Sequence, residues 1–200
     1  NNFNPVFQFF KIKNIEVKNL KFLEKKKLEN QLVNELYGSS LFVLNEKKIE
    51  KILNNYDVIS YLEFKKIFPS KLLIFVYEKE AIAILNNKRD KYYLTRNGEK
   101  IKFFKNQNLE KLPNIFGKQK NFLEVYSILT KIHFPISKIK SFYYFDVGRW
   151  DILLKNEVVI KLPAKNFITS LKNFLDLGKK IDFEKYKIFD YRIKDQLILK

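Results

Sequence analysis

The 200-residue chain is strongly basic: 39 Lys and Arg residues against 22 Asp and Glu residues give a formal net charge of +17 at pH 7. Hydrophobic residues make up 46% of the chain and aromatic residues 16%, enough to build a core and to exclude disorder as the default state. The chain has no Cys, which excludes disulfide bonds and thiolate chemistry, and no Met, so we expect it to be a processed product or part of a longer protein.

One strand and two amphipathic helices are predicted at the N-terminal end. Residues 11–20 are rich in β-branched side chains, as in a strand. Apolar side chains at the spacing of one helix face predict a helix over residues 24–36 and a second that ends near residues 54–55. Gly38 suits the end of the first helix, and Asn45 suits the N-cap of the second. The two apolar stripes are Leu28, Leu32 and Leu36, and Ile49, Ile52, Leu53 and Tyr56.

Residues 61–85 predict a β-hairpin, which completes the predicted order of elements in the first half of the chain. Pro69 and Ser70 suit the turn, because proline fixes φ and lacks an N–H. Apolar side chains on either side of this turn alternate with the period of two that is typical of strands. These side chains are Leu62 and Phe64, then Leu72, Ile74 and Val76. The predicted order is β-α-α-β-β, with two helices covering one face of a three-stranded sheet.

Polar residues 86–90 predict a domain boundary. The predicted organisation is a lead-in of residues 1–10, a first domain of residues 11–85 and a second domain of residues 86–200. Elements predicted for the second domain are a hairpin over residues 92–103 around Asn97 and Gly98, a loop over 112–117, a helix over 122–133, strands over 139–146, 150–155 and 158–162, a helix over 166–177, and a closing hairpin of residues 187–193 and 196–200.

The positive charge raises the hypothesis of nucleic-acid binding. Only four basic residues are Arg, although nucleic-acid sites favour Arg for bidentate and stacking contacts. Lys, Asn, Ile, Phe and Tyr are all abundant, as A/T-rich codons would produce. We therefore favour a solvated basic surface, and a nucleic-acid-binding protein of an A/T-rich or organellar genome stays the alternative hypothesis.

Catalytic and metal-binding patterns are not evident in the sequence. His133 is the only histidine and lies near the end of a predicted helix, where a structural role is favoured. The five glycines are isolated and form no phosphate-binding loop. Carboxylates lie beside lysines throughout, as on an exposed face. We predict no enzyme activity, no cofactor and no metal site.

The last predicted strand is the candidate functional feature. A domain that ends in a hairpin leaves a terminal strand with a neighbour on one side, and its unpaired N–H and C=O groups suit strand addition by a partner. Leu197, Ile198 and Leu199 are apolar and are followed by Lys200. The same pattern equally fits a strand packed in the core.

With these elements placed, the chain resembles the periplasmic part of the FtsQ/DivIB family of bacterial cell-division proteins. The order β-α-α-β-β is that of a POTRA domain, and residues 68–83 resemble the family's signature of strand, aromatic-Pro turn, strand and Glu. Ile82 departs from it, since the family usually has Pro there. Further similar segments follow in the family's order over residues 93–98, 112–117, 148–152, 159–163, 189–192 and 195–199.

The resemblance implies an α+β fold, with an N-terminal POTRA domain followed by a mostly antiparallel β-domain with two helices. It implies a non-catalytic scaffold of the division machinery (divisome) at the septum, held in the bacterial inner membrane by a single helix before Asn1, with this region in the periplasm. It also implies that the POTRA domain serves recruitment and that the C-terminal strand and nearby helix bind the FtsB–FtsL pair. The implied partner-binding residues are Leu171, Leu175, Ile193, Leu197, Ile198 and Leu199.

Overall fold

The computed structural model describes residues 9–87, 90–118, 121–178 and 180–200. The chain divides into two compact units, Asn1–Glu80 and Ala81–Lys200. The predicted lead-in over residues 1–10 lies largely outside the described residues. Among the described helices, none is long and apolar enough to cross a bilayer.

From residue 9 onward, the first unit is a three-stranded sheet with two helices. Its elements are β1 (Asn14–Lys18), α1 (Lys25–Leu36), α2 (Glu46–Leu53), β2 (Ile59–Ile67) and β3 (Lys71–Glu78). β3 lies in the centre of the sheet, parallel to β1 and antiparallel to β2. The predicted order β-α-α-β-β is confirmed.

The apolar stripes predicted for the two helices form the core of this unit together with the sheet. The buried side chains are Leu28, Leu32 and Leu36 of α1, Ile49 and Leu53 of α2, and Ile15, Val17, Leu72, Ile74 and Val76 of the strands. Gly38 has the left-handed conformation expected after α1, with φ of 76°. Asn45 does precede α2, but its side chain makes no capping hydrogen bond.

A single carboxylate fixes the loop between β1 and α1. Glu78, at the end of β3, accepts hydrogen bonds from the backbone N–H groups of Lys21 at 3.0 Å, Phe22 at 2.8 Å and Leu23 at 3.0 Å. Hydrogen bonds to an ionised acceptor are stronger than neutral ones. Glu78, which lies in the segment that resembles the family's signature, therefore holds this loop to the end of the central strand.

Over its described residues, the second unit is a nine-stranded mixed sheet with two helices. Its elements are β4 (Ala81–Asn86), β5 (Lys91–Thr95), β6 (Lys100–Lys102), β7 (Asn114–Phe116), α3 (Phe122–Lys131), β8 (Ile139–Phe145), β9 (Arg149–Leu154), β10 (Val159–Lys161), α4 (Phe167–Leu177), β11 (Ile188–Asp190) and β12 (Ile198–Leu199). The order across the sheet is β12-β11-β10-β9-β8-β7-β4-β5-β6. Neighbouring strands are antiparallel except in the pairs β4–β7, β7–β8 and β10–β11. The predicted α+β class and the two helices are confirmed.

One row of directly opposed side chains crosses the core of the second unit. The row consists of Leu85, Ile115, Phe142, Ile152, Ile160 and Phe189, all buried. Phe122 of α3 meets the Phe142 ring at 5.2 Å, and Phe174 of α4 meets the Phe189 ring at 4.9 Å. Both helices therefore pack on this face of the sheet.

The loop predicted over residues 112–117 is wrong, because it contains β7. This strand lies between β4 and β8 and is parallel to both. Three residues are too few to show alternation, and the flanking Pro113 and Gly117 resemble turn residues. Gly117 has φ of 92°, and a Cβ there would lie 2.7 Å from the Tyr144 carbonyl oxygen. Glycine is required at this close approach of two backbones.

The strand β4 begins inside the predicted first domain of residues 11–85, but it belongs to the second unit of the structure. It pairs with β5 and β7 of the second sheet, and the division between the two units falls between Glu80 and Ala81. That residues 11–85 and 86–200 are domains that fold independently stays a prediction.

Candidate partner-binding edge

In the described part of the chain, β12 is the outermost strand on one side of the sheet and pairs with β11 alone. The Lys200 N–H donates to the Ile188 carbonyl at 3.1 Å, and the Ile188 N–H donates to the Lys200 carbonyl at 2.9 Å. Hydrogen-bonded and non-hydrogen-bonded pairs alternate along an antiparallel ladder. The next pair, Phe189 and Leu199, is therefore non-hydrogen-bonded, and the N–H and C=O groups of Leu199 point to the open edge.

The six predicted partner-binding residues differ in exposure. Leu171 on α4 has 0% exposure and belongs to the core, so it supports the edge from within. Ile193, in the turn between β11 and β12, is 51% exposed. Leu175, Leu197 and Leu199 are half-buried and pack against the core, and Ile198 is also half-buried. Leu197, Ile198 and Leu199 lie together at this edge of the sheet.

Aromatic rings connect α4 to the strand that carries the edge. The ring of Phe174 on α4 meets Phe189 of β11 edge to face at 4.9 Å. Phe183 lies 5.6 Å from each of these two rings. Aromatic pairs contribute about 0.5–1.5 kcal/mol beyond the area that they bury. The packing of α4 therefore fixes the position of β11 and, through it, of β12.

A buried hydroxyl joins the same two elements. Tyr191 directly follows β11, and its hydroxyl donates to the side-chain oxygen of Asn173 on α4 at 2.9 Å. Burial raises the pKa of Tyr191 from 10.0 to about 12. The neutral phenol is therefore the form that the folded second unit stabilises.

We expect this phenol to make stability depend on pH in the alkaline range. Because the pKa is raised in the folded state, the contribution of Tyr191 is fully present below pH 10 and is lost as pH rises to about 12. Tyr191→Phe should lack this part of the pH dependence and should lose about 1 kcal/mol at neutral pH with its hydrogen bond. Urea denaturation followed by Trp150 fluorescence measures both effects. Identical alkaline curves for the two proteins would contradict the expectation.

The opposite face of the sheet carries a row of charges that ends at β12. Asp151, Lys161 and Asp190 are directly opposed on β9, β10 and β11, and Asp190 is opposed to Ile198. Asp190 accepts hydrogen bonds from the Arg192 Nε at 2.8 Å and Nη2 at 2.6 Å. This pairing lowers the pKa of Asp190, whereas burial raises the pKa of Asp151.

Sequence reasoning missed this row of charges. The signal in the sequence is Asp190 at the end of a strand with Arg192 two positions later, within reach of an ion pair. The opposition of Asp151, Lys161 and Asp190 depends on the strand register and has no signal in the sequence.

The arrangement at the edge suits binding through backbone groups and apolar surface. Across the described residues, no group of three or more His, Cys, Asp or Glu side chains could hold a metal ion.

His133 follows α3 with φ of 54°, and its N–H donates to the Thr130 carbonyl at 3.1 Å. This is a turn position at a helix end.

Both units match models of known protein families. Residues 83–192 match the model described as cell division protein FtsQ/DivIB, C-terminal. Residues 10–79 match the model described as POTRA domain, FtsQ-type.

Curated relatives with the name cell division protein FtsQ cover most of the chain. The protein of Rickettsia bellii is 30% identical over 173 residues, which are 83% of this chain and 63% of that protein. The protein of Rhizobium meliloti is 24% identical over 133 residues, or 64% of this chain and 42% of that protein. The chain thus spans less than two thirds of the length of these relatives. A solved structure of the major extracytoplasmic domain of DivIB, trans isomer, from Geobacillus stearothermophilus aligns over 53% of this chain and 99% of that chain at 13% identity, with a TM-score of 0.32.

Proposed function

Because the chain belongs to the FtsQ/DivIB family of cell-division proteins, we propose that it is a non-catalytic scaffold of the bacterial division machinery that binds an FtsB-type partner by strand addition to β12. The observation that carries the proposal is the outward direction of the Leu199 N–H and C=O groups on the outermost strand. A partner strand that satisfies these groups extends the sheet by one strand.

Side chains at the edge define the surface that the partner strand meets. Successive residues of a strand point to opposite faces, so Leu199 faces α4 and Ile198 faces the row of charges. Half-buried Leu175 and Leu197 add apolar area on the core side, and exposed Ile193 adds area at the turn. The FtsB–FtsL pair that we infer as partner would supply apolar side chains on the core side and polar ones on the other.

The first unit serves recruitment to the division septum in this proposal. Its support is the match of residues 10–79 to the FtsQ-type POTRA domain. Anchoring in the inner membrane by a helix before Asn1, with both units in the periplasm, is part of the same proposal. Family membership favours this role over nucleic-acid binding, a hypothesis that depended on net charge and composition.

Amide hydrogen exchange tests strand addition at single-residue resolution. On addition of the FtsB-type protein from the same genome, the Leu199 amide should become protected, because its N–H gains an acceptor. The Ile188 amide is the internal control, since it already donates to the Lys200 carbonyl at 2.9 Å. Binding that leaves the exchange rate of Leu199 unchanged would rule out strand addition at this edge.

A further inference from the structure

Three phenylalanine rings form a cluster at the surface of the first unit. Ring centroids lie 4.6 Å apart for Phe10 and Phe42, 5.4 Å for Phe10 and Phe68, and 5.1 Å for Phe42 and Phe68. Phe42 is 51% exposed and Phe68 50% exposed. Contiguous exposed apolar surface on a folded protein marks a binding site. We call these three rings the phenylalanine patch.

Backbone hydrogen bonds fix the segments that carry the patch. The Leu41 N–H donates to the Phe10 carbonyl at 2.7 Å, which joins the segment that carries Phe42 to the segment that carries Phe10. The Lys13 N–H donates to the Ser70 carbonyl at 2.9 Å, which joins the first segment to the turn that carries Phe68. The patch is therefore a preformed surface.

The charged residues in the chain segments that carry the patch are all lysines. Residues 9–13, 37–45 and 65–71, the three segments that meet here, contain five lysines and no Asp or Glu. Lys11, Lys13 and Lys65 are exposed. Lys71 lies 2.6 Å from the Glu16 carboxylate of β1. The occupant of this surface must therefore combine an apolar layer with negative charge.

We propose that the phenylalanine patch docks on the surface of a bilayer that contains anionic phospholipids. Aromatic rings insert at the boundary between headgroups and acyl chains, while lysines contact the phosphates. Each lysine near an anionic surface strengthens binding about fivefold. A second copy of this chain would bring two lysine-ringed surfaces together, and their repulsion disfavours it as occupant. The inference is independent of strand addition at β12.

Vesicle co-sedimentation of the full chain tests the proposal. The chain should bind vesicles of phosphatidylglycerol and phosphatidylcholine, and bind vesicles of phosphatidylcholine alone much more weakly. Phe42→Ser with Phe68→Ser should lower the affinity for anionic vesicles by on the order of tenfold or more, because two exposed rings lose their apolar area. Lys11→Glu with Lys13→Glu should lower it by at least as much.

Matched controls separate the patch from general effects of charge and of exposed aromatic rings. Tyr61→Ser removes a ring of β2 that is also 51% exposed, and Lys26→Glu with Lys27→Glu makes the same change of charge on α1; both should keep most of the affinity. Circular dichroism confirms that each variant is folded. Full vesicle binding by the Phe42→Ser, Phe68→Ser variant would overturn the proposal. So would an equal loss in the controls, or self-association through the patch without vesicle binding.

Discussion

Removing residues 196–200 should abolish binding of the FtsB-type partner and leave the first unit folded. The deletion removes β12, the strand that presents the open edge. A partner strand then loses two or three backbone hydrogen bonds and the apolar contacts of three residues, a loss of on the order of 100-fold or more in affinity. Isothermal titration calorimetry with the FtsB-type protein from the same genome measures the change. Undiminished binding by the deleted form would falsify the edge-strand proposal.

Two proline variants separate the two roles of β12, which are pairing with β11 and presenting an open edge to a partner. Ile198→Pro removes an N–H that the ladder directs towards β11, so it should detach the strand and act like the deletion. Leu199→Pro removes an N–H that points to the open edge, where proline is tolerated. This second variant should keep the second unit folded and still weaken partner binding. Leu199→Val keeps the N–H and is the matched control, for which we expect nearly unchanged affinity.

The substitution Phe189→Ala should cost the second unit about 3–5 kcal/mol of its free energy of unfolding. The Phe189 ring is fully buried and contacts the rings of Phe174 and Phe183, so its removal leaves a cavity beneath the terminal strands. Urea denaturation followed by Trp150 fluorescence measures the loss. Trp150 is the only tryptophan of the chain and is buried in the same unit.

An exposed apolar residue provides the control for this cavity. Val147 is 70% exposed, and Val147→Ala should change the free energy of unfolding by less than about 0.5 kcal/mol. A loss of only about 1 kcal/mol in Phe189→Ala would show that the aromatic packing between α4 and β11 contributes little.

Local patterns in the sequence predicted the elements that bury one regular face. The stripes of α1 and α2 and the alternation in β2 and β3 each repeat often enough to reveal their period. The strand β7 shows no such period, because it is three residues long and is paired on both sides. Its assignment depends on neighbours that are distant in the sequence.

The candidate edge was predictable as a strand, but its surroundings were not. The sequence left open whether residues 197–199 form an edge or part of the core, and Leu199 combines the two roles: its side chain packs against the core while its backbone faces outward. Leu171 was assigned to the partner surface by resemblance, whereas the structure buries it. Its place in the inward stripe of α4, beside Phe174, is the signal that identifies it as a core residue.

The strand order of the second sheet bears on the way it forms during synthesis. β4 lies inside the sheet, β5 and β6 extend it on one side, and β7 pairs with β4 on the other. From β8 to β12, each strand lies beside the one that was synthesised before it. Closing a loop between neighbours in the sequence costs little entropy. The sheet can therefore grow vectorially as the chain emerges, and each new strand finds its template already in place. The strand of a second protein would take the next position in this order, as if it were translated after β12.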